Sequence, residues 1–480
     1  PWSSAASDVY KRQLPYWLFI VMTLFAAIMV LDRILMPGFR WYLRRRVNRV
    51  IDEINTRLDL EIRPLQITQR KALIDRLVFD EKVLDAVKQV AHEKNIPTSV
   101  VQDEARKYAN EIVPAFNAYM YFRFGYWLSK KLARLVYRVR VGFFDDQDLS
   151  KVDPESAVVF VMNHRSNMDY VLVSFLVAEK TALSYAVGEW ARIWPLQTLL
   201  KSMGAFFVRR DSGNSLYRRV LERYINMSTR AGVCQAVFLE GGLSKDGALQ
   251  EARLGFLDYM LRDFRSDTDR DITFIPVGIN YDRVIEDRSL VRKLDADADR
   301  RSKWFVAKTT SSFTFKTLLL SRKTRWRRFG YASVNFGKPV SAKAYCASQG
   351  IEFTLLDTDV RFEKVAELAQ LLMHEIEKVI PVMPVALMCG VILKHRGEWK
   401  SELELKAEAL ERMTQLQKLG APISVASGAT ESVLSGAMDI IVGRGLIEVR
   451  DGLYKADADE LVMLAYYARS IAHWQHVENS

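Results

Sequence analysis

From residue 151 onward, short apolar runs alternate with stretches of helical period, and this alternation constrains the fold more than any other feature of the chain. The runs 157–162 (AVVFVM), 182–187 (ALSYAV), 205–208 (AFFV), 235–239 (QAVFL), 272–279 (ITFIPVGI) and 332–336 (ASVNF) read as buried strands. Helical pattern separates most of them, as at 213–231 and 250–264. Such alternation predicts an α/β domain, a mostly parallel sheet flanked by helices, over residues 151–390. An amphipathic helix over 355–380 stops near Pro381. The apolar segment 382–393 is short and carries Pro384, so it reads as core or interfacial rather than spanning. Residues 391–480 read as a smaller, mainly helical region. It has a hairpin at 446–455 (LIEVRDGLYK), where Asp451-Gly452 supplies the turn.

A chain of 480 residues exceeds one ordinary domain, and 49% hydrophobic with 26% charged residues excludes a disordered one. The formal net charge is +11, which points to an anionic partner: nucleic acid, anionic lipid or a phosphorylated substrate. Three scattered cysteines, Cys234, Cys346 and Cys389, build neither a disulfide framework nor a zinc site, as expected of a reduced, cytosol-facing protein.

The segment 1–13 has no hydrophobic period and is set aside as a tail or remnant. Residues 14–31 (LPYWLFIVMTLFAAIMVL) are uncharged. As a helix they would rise ~27 Å, close to the thickness of a bilayer core, and they are expected to form a single transmembrane anchor. Tyr16 and Trp17 fall at the interface. Arg33, Arg40, Arg44, Arg45, Arg46 and Arg49 follow, which places everything after the span on the cytoplasmic side, with the inner membrane as the expected location. Residues 32–150 read as a helical, basic, membrane-proximal region, helical through Arg140. Its end interleaves Arg123, Lys130, Lys131, Arg134, Arg138 and Arg140 with Phe116, Tyr119, Tyr121, Phe122, Phe124, Tyr126 and Trp127. Both a helix packed on a core and one lying along lipid headgroups fit that pattern.

Several motifs fail on spacing. His374-Glu375 is followed by Lys378 where a zinc-protease helix needs a second His, and 242–246 lacks the second Gly of a nucleophile elbow. No Walker loop exists. Asp295, Asp297 and Asp299 lack the Gly and Glu of a calcium loop. The 322–328 basic cluster with Trp326 comes without a nucleic-acid recognition motif.

One stretch carries chemistry: Asn163-His164-Arg165-Ser166-Asn167-Met168-Asp169-Tyr170, directly after the first strand of the α/β region. Catalytic groups in such sheets gather at the carboxyl ends of strands. With a turn between them, the Asp169 carboxylate can hold Nδ1–H of His164 and leave Nε2 as a base. Ser166-x-x-Asp169 also fits a capping box, in which Asp169 only caps a helix. The run 204–210 (GAFFVRR) ends in Arg209 and Arg210, and 238–245 (FLEGGLSK) offers Glu240, Gly241, Gly242, Ser244 and Lys245. Guanidinium forks and glycine-turn amides suit phosphate binding, so these residues are the expected substrate-binding set. A base beside a phosphate pocket, on a membrane-anchored chain, suggests acyl transfer to a phosphorylated polyol.

At these residues the chain resembles the membrane glycerolipid acyltransferases, in the branch that acylates glycerol 3-phosphate or dihydroxyacetone phosphate. Residues 164–169 (HRSNMD) match the HX4D block, 204–210 the GAFFIRR block, 240–244 the EGGRS block and 275–286 (IPVGINYDRVIE) the fourth block; 336–339 (FGKP) matches a later turn. The blocks cover roughly residues 150–390. The resemblance implies a glycerolipid acyltransferase-like fold, acyl-CoA or acyl-carrier protein as donor, glycerol 3-phosphate as acceptor, and neither metal nor cofactor. It implies transfer to the 1-hydroxyl, the first step of phospholipid synthesis, with His164 and Asp169 catalytic. One departure stands out: Leu243 occupies the place of the third block's phosphate-binding Arg, and Lys245, Arg209 or Arg210 would have to supply that charge. The alternatives are a 1-acylglycerol-3-phosphate acyltransferase, whose blocks differ from these, and a non-catalytic membrane-tethered protein binding lipid or nucleic acid.

Overall fold

The computed structural model describes Tyr16, Ile20, Met22, Thr23 and residues 63–143, 152–177, 181–188, 196–209, 212–294, 322–425 and 430–476. The chain divides into two units, Pro1–Arg57 and Leu58–Ser480. In the first, the four described residues are helical; the remainder of the 14–31 span and the arginine run after it lie outside the described residues, as do Asp295, Asp297 and Asp299. Among the described residues no helix is long and apolar enough to cross a membrane.

The second unit is built on eight strands: β1 (Arg138–Phe143), β2 (Ala157–Met162), β3 (Ser184–Val187), β4 (Ala205–Phe207), β5 (Gln235–Phe238), β6 (Ile272–Tyr281), β7 (Tyr331–Phe336) and β8 (Val340–Ser341). Their order is β1-β7-β6-β2-β5-β3-β4, with β8 on β6. Strands β6, β2, β5, β3 and β4 run parallel, so their carboxyl ends share one edge. β7 is antiparallel to β6, and β1 is parallel to β7. The mostly parallel α/β class expected from the sequence is therefore present.

One element differs from expectation. The helical region predicted through Arg140 ends at Val136, and residues 138–143 (RVRVGF) form β1. Arginine and valine alternate there at period two, the pattern of a strand with one polar face, and the edge position leaves Arg138 exposed.

Helices cover both faces. On one lie α1 (Arg70–Val78), α2 (Glu81–Lys94) and α3 (Thr98–Ile112), then α6 (Ser215–Arg230), α7 (Gly255–Leu261) and α8 (Thr358–Val379). On the other lie α4 (Tyr126–Val136), α5 (Met168–Val177), α9 (Pro384–Lys394), α10 (Glu402–Lys418), α11 (Thr430–Gly443) and α12 (Leu461–Ala468). Local chemistry sets several ends. The Asp80 side chain caps α2 by accepting the Lys82 N–H, Asn214 caps α6 through the Tyr217 N–H, and Ser401 with Glu404 forms a capping box on α10. Pro384 sits in the first turn of α9, where its missing N–H costs no helical bond.

The period-two geometry of β2 divides the core. Val158, Phe160 and Met162 join the cluster shared with α9–α12, while Ala157, Val159 and Val161 join the one shared with α1–α3 and α6. Both faces are buried, which explains an unbroken apolar strand. The C-terminal helices thus pack into the same core as the sheet. A three-stranded sheet of β9 (Lys400–Ser401), β10 (Ile447–Arg450) and β11 (Leu453–Ala456) completes that region. The expected hairpin turn is present, with Asp451 and Gly452 both at positive φ.

Candidate active site

The chain leaves β2 at Met162, and Asn163 ties its end to β6: the amide donates to the Ile279 carbonyl (2.9 Å) and accepts the Ile279 N–H (2.8 Å). His164 follows, and four residues later α5 begins at Met168, with Asp169 in its first turn. Asp169 is fully buried and His164 nearly so. Oδ2 of Asp169 lies 2.8 Å from His164 Nδ1 and accepts the backbone N–H groups of Arg165 (2.8 Å) and Ser166 (3.0 Å). Oδ1 accepts the Tyr281 hydroxyl at 2.5 Å. With backbone amides and a phenol donating to it, the carboxylate acts as acceptor throughout. Nδ1 of His164 then carries the ring proton, and Nε2 presents a lone pair. Asp169 accordingly both caps the turn and orients the imidazole; the two readings of Ser166-x-x-Asp169 are one arrangement.

The ring is also held by packing. It stacks on Phe238 (3.8 Å between centroids, 19°) and meets Tyr170 edge-on (5.6 Å). Among the described residues nothing hydrogen-bonds Nε2, and His164 lines a cleft of about 1220 Å³. This cleft runs over the carboxyl ends of β2, β5, β3 and β4, bordered by His164, Gly188, Arg209 and the 239–243 turn.

The predicted substrate-binding residues divide once they are placed. Gly241, Gly242 and Lys245 line the cleft with His164. Gly241 sits at φ +65, and its N–H is taken by the Phe238 carbonyl (3.0 Å). Glu240 also lines the cleft, and its carboxyl braces the turn: one oxygen accepts the His164 N–H (2.6 Å), the other the Gln250 N–H (2.9 Å). Burial, opposed by those two bonds, pushes its carboxyl up from 4.5 to about 8. Ser244 is buried, and its hydroxyl is used within its own loop, donating to the Ala248 carbonyl (2.7 Å) and accepting the Gly247 N–H (3.0 Å). Its N–H donates to the His164 carbonyl (3.0 Å), so the third block buttresses the first. Arg209 lines the cleft from beyond β4, but Nε and Nη2 grip Glu111 of α3 (2.8 and 2.6 Å), and its plane lies near Tyr108 and Tyr217. Arg210 lies outside the described residues.

Four residues that the motifs contain, but to which the sequence reading gave no role, complete this arrangement. Tyr281 holds Asp169, and Asn163 pins the strand end. Glu286 accepts from Ser166 Oγ (2.7 Å) and Asn167 Nδ2 (3.1 Å), and burial raises its carboxyl above the usual range. Arg165, nearly fully buried, donates to the Gly247 carbonyl and stacks over the Tyr466 ring (4.7 Å) of α12. A signal existed for two of them: Tyr281 and Glu286 follow the longest of the predicted strand runs, 272–279, where a strand's carboxyl end meets a site.

Two regions of the chain match known families. A family described as acyltransferase matches residues 144–280, and one described as glycerol-3-phosphate acyltransferase C-terminal region matches 314–476. The glycerol-3-phosphate acyltransferase of Pseudomonas putida strain W619 is 28% identical over 426 residues, covering 85% of this chain and 49% of that protein. That of Haemophilus ducreyi is 25% identical over 425 residues, covering 85% and 50%. The chain spans about half the length of the curated relatives it matches. The crystal structure of a Thermotoga maritima 1-acyl-sn-glycerophosphate acyltransferase is 15% identical, covers 53% of this chain and 78% of its own, and superposes with a TM-score of 0.30, too loosely to carry an argument. Residues 144–280 are thus similar to an acyltransferase domain and residues 314–476 to the C-terminal region of glycerol-3-phosphate acyltransferases, and the chain is similar over 85% of its length to proteins of that name.

Proposed function

We propose that the protein transfers a fatty acyl group from acyl-CoA or acyl-carrier protein to the 1-hydroxyl of glycerol 3-phosphate, the first committed acylation of phospholipid synthesis. The observation that carries this reading is the buried Asp169–His164 pair (2.8 Å), whose free ring nitrogen faces a wide cleft with cations around it. Nε2 of His164 removes the proton of the acceptor hydroxyl as its oxygen bonds to the thioester carbonyl carbon. The tetrahedral intermediate then expels the thiol, which leaves with that proton. Asp169 keeps the imidazole in the reactive tautomer and stabilises the imidazolium that forms. The amides of residues 164–166 are already committed to Glu240 and Asp169, so the oxyanion must find its donors elsewhere in the cleft. The 14–31 span would anchor the chain in the inner membrane, with the catalytic unit on the cytoplasmic side and the product released into that leaflet.

The test is acyl transfer by purified full-length protein from palmitoyl-CoA to glycerol 3-phosphate, dihydroxyacetone phosphate and 1-acylglycerol 3-phosphate, side by side. Turnover is expected with glycerol 3-phosphate. His164→Ala should lower it ~10²–10⁴-fold with the thermal midpoint retained. Turnover with the acylated acceptor alone would replace the proposed substrate; near-normal turnover by His164→Ala would reduce the motif to a helix cap.

A further inference from the structure

We propose that Lys245, Arg253 and Arg218 form a phosphate-monoester subsite in the His164 cleft, a reading that rests on the acyl-transfer function above and names what holds the ionic end of its substrate. All three line the cleft together with His164. Nothing in the sequence motifs singles out Arg218 or Arg253.

The cations of this cleft differ in what they already hold. Arg209, the motif arginine, has its fork closed on Glu111. Lys245, Arg253 and Arg218 are exposed, and among the described residues none of them forms an ion pair. Arg253 is drawn over the glycine turn. Its N–H donates to the Leu239 carbonyl (2.7 Å), and its Cγ passes so close to Gly241 that a Cβ there would lie 2.9 Å away. The glycine therefore does more than turn the chain: it lets the arginine stem cross the turn toward the cleft. Lys245 follows two residues after Leu243, whose half-buried side chain packs on the core and brings no charge. Arg218 stands in the first turn of α6, on another part of the wall.

Little in the cleft neutralises these charges. Glu240 is the buried acid whose carboxyl burial holds up near 8, and Glu251 is a single exposed carboxylate on the lining. Three cations against that balance suit a dianion, and two guanidinium forks with an ammonium match the tetrahedral oxygens of a monoester. Both substrates can bring such a group: the acceptor as glycerol 3-phosphate, the donor as the 3′-phosphate of coenzyme A.

The experiment is calorimetric titration of the full chain in detergent with sn-glycerol 3-phosphate, glycerol, coenzyme A and 3′-dephospho-coenzyme A, which needs no turnover. Arg253→Gln and Lys245→Gln are each expected to raise the dissociation constant of a phosphate ligand about tenfold or more, with Arg253→Lys recovering part of the loss. Thermal midpoints should stay unchanged because the side chains are exposed; Arg218→Gln provides an independent variant should either fail to fold. Weakening confined to glycerol 3-phosphate assigns the subsite to the acceptor. Weakening for coenzyme A but not its dephospho form assigns it to the donor. Wild-type affinity for both in the Arg253→Gln/Lys245→Gln double variant, or no binding of either by wild type, overturns the proposal. If the variants lose phosphate while wild type transfers no acyl group, the subsite stands and the proposed reaction falls.

Discussion

At the scale of single residues, the site rests on one buried carboxylate shared by the imidazole, two amides and a phenol. Asp169→Asn replaces an acceptor with a donor at one of these contacts and should cost nearly as much rate as losing His164. Tyr281→Phe keeps the ring and its packing but frees Oδ1. A reacting group held less firmly should show in kcat, on the order of tenfold, with the acceptor KM little changed, and steady-state kinetics on the two variants separates these effects. Glu240 makes a prediction of opposite character. Its carboxyl lies near 8 in the folded chain against 4.5 normally, so the folded state binds the proton more tightly than the unfolded one. Stability should therefore be greatest at low pH within that window and fall as pH rises from about 4.5 to 8. Buried Asp282, raised from 3.8 to about 6, acts in the same direction over the lower part of the range. Thermal midpoints measured from pH 5 to 9 should decline for wild type and decline less between 6 and 9 for Glu240→Gln; parallel curves would remove Glu240 from the account.

At the scale of elements, the third-block loop is clamped between the HX4D turn and α12. Arg165 reaches the Gly247 carbonyl, and Gly247 itself sits at φ +92 with the Tyr466 carbonyl so near that a Cβ would lie 1.8 Å from its oxygen. Gly247→Ala must move either the loop or the helix. Left-handed strain and overpacking together should cost about 2 kcal/mol or more, read as a lowered midpoint in chemical denaturation. An unchanged midpoint would mean that α12 docks loosely. The same contacts show why the region after residue 391 is not an appendage: Arg444 pairs with Asp287 (2.5 Å), and the Tyr467 hydroxyl, which donates to Asp287, also accepts the Val284 N–H (3.1 Å) just beyond β6.

At the scale of the whole molecule, the charge of +11 is unevenly spread. No acidic residue occurs from 112 to 144, where Phe124, Trp127, Lys131 and Arg134 are exposed along one side of α4 and the turn before it. Lys131 lies over the Trp127 ring at 4.8 Å. Aromatic and cationic side chains on one exposed stripe suit a headgroup surface, each cation adding about 1 kcal/mol near anionic lipid. Deleting residues 1–36, the proposed anchor included, should leave binding to anionic vesicles that high salt reverses, measured by flotation. Extraction of the full-length protein by carbonate would contradict a spanning anchor. Vesicle binding indifferent to salt would contradict the basic stripe.

The sequence by itself determined the class of fold and the pairing of His164 with Asp169. Apolar runs mark strands buried on both faces, helical period marks the layers that cover them, and the His164–Asp169 spacing needs only a strand end and a turn to converge. It could not determine the company each charge keeps. Arg138–Phe143 was hidden because a cationic alternation was read as part of a helix face. Arg209 belongs to the expected substrate-binding set, and only the fold shows that its counter-ion is Glu111, remote in sequence on α3. Glu240 and Ser244 also brace the motif turn, a contact that no motif reveals, and Arg253, outside the motifs, stands in the cleft. Periodicity reports only which face of an element is buried. Pairing, orientation and access depend on distances between side chains far apart in the chain, and those exist only once the sheet and its covering helices have assembled.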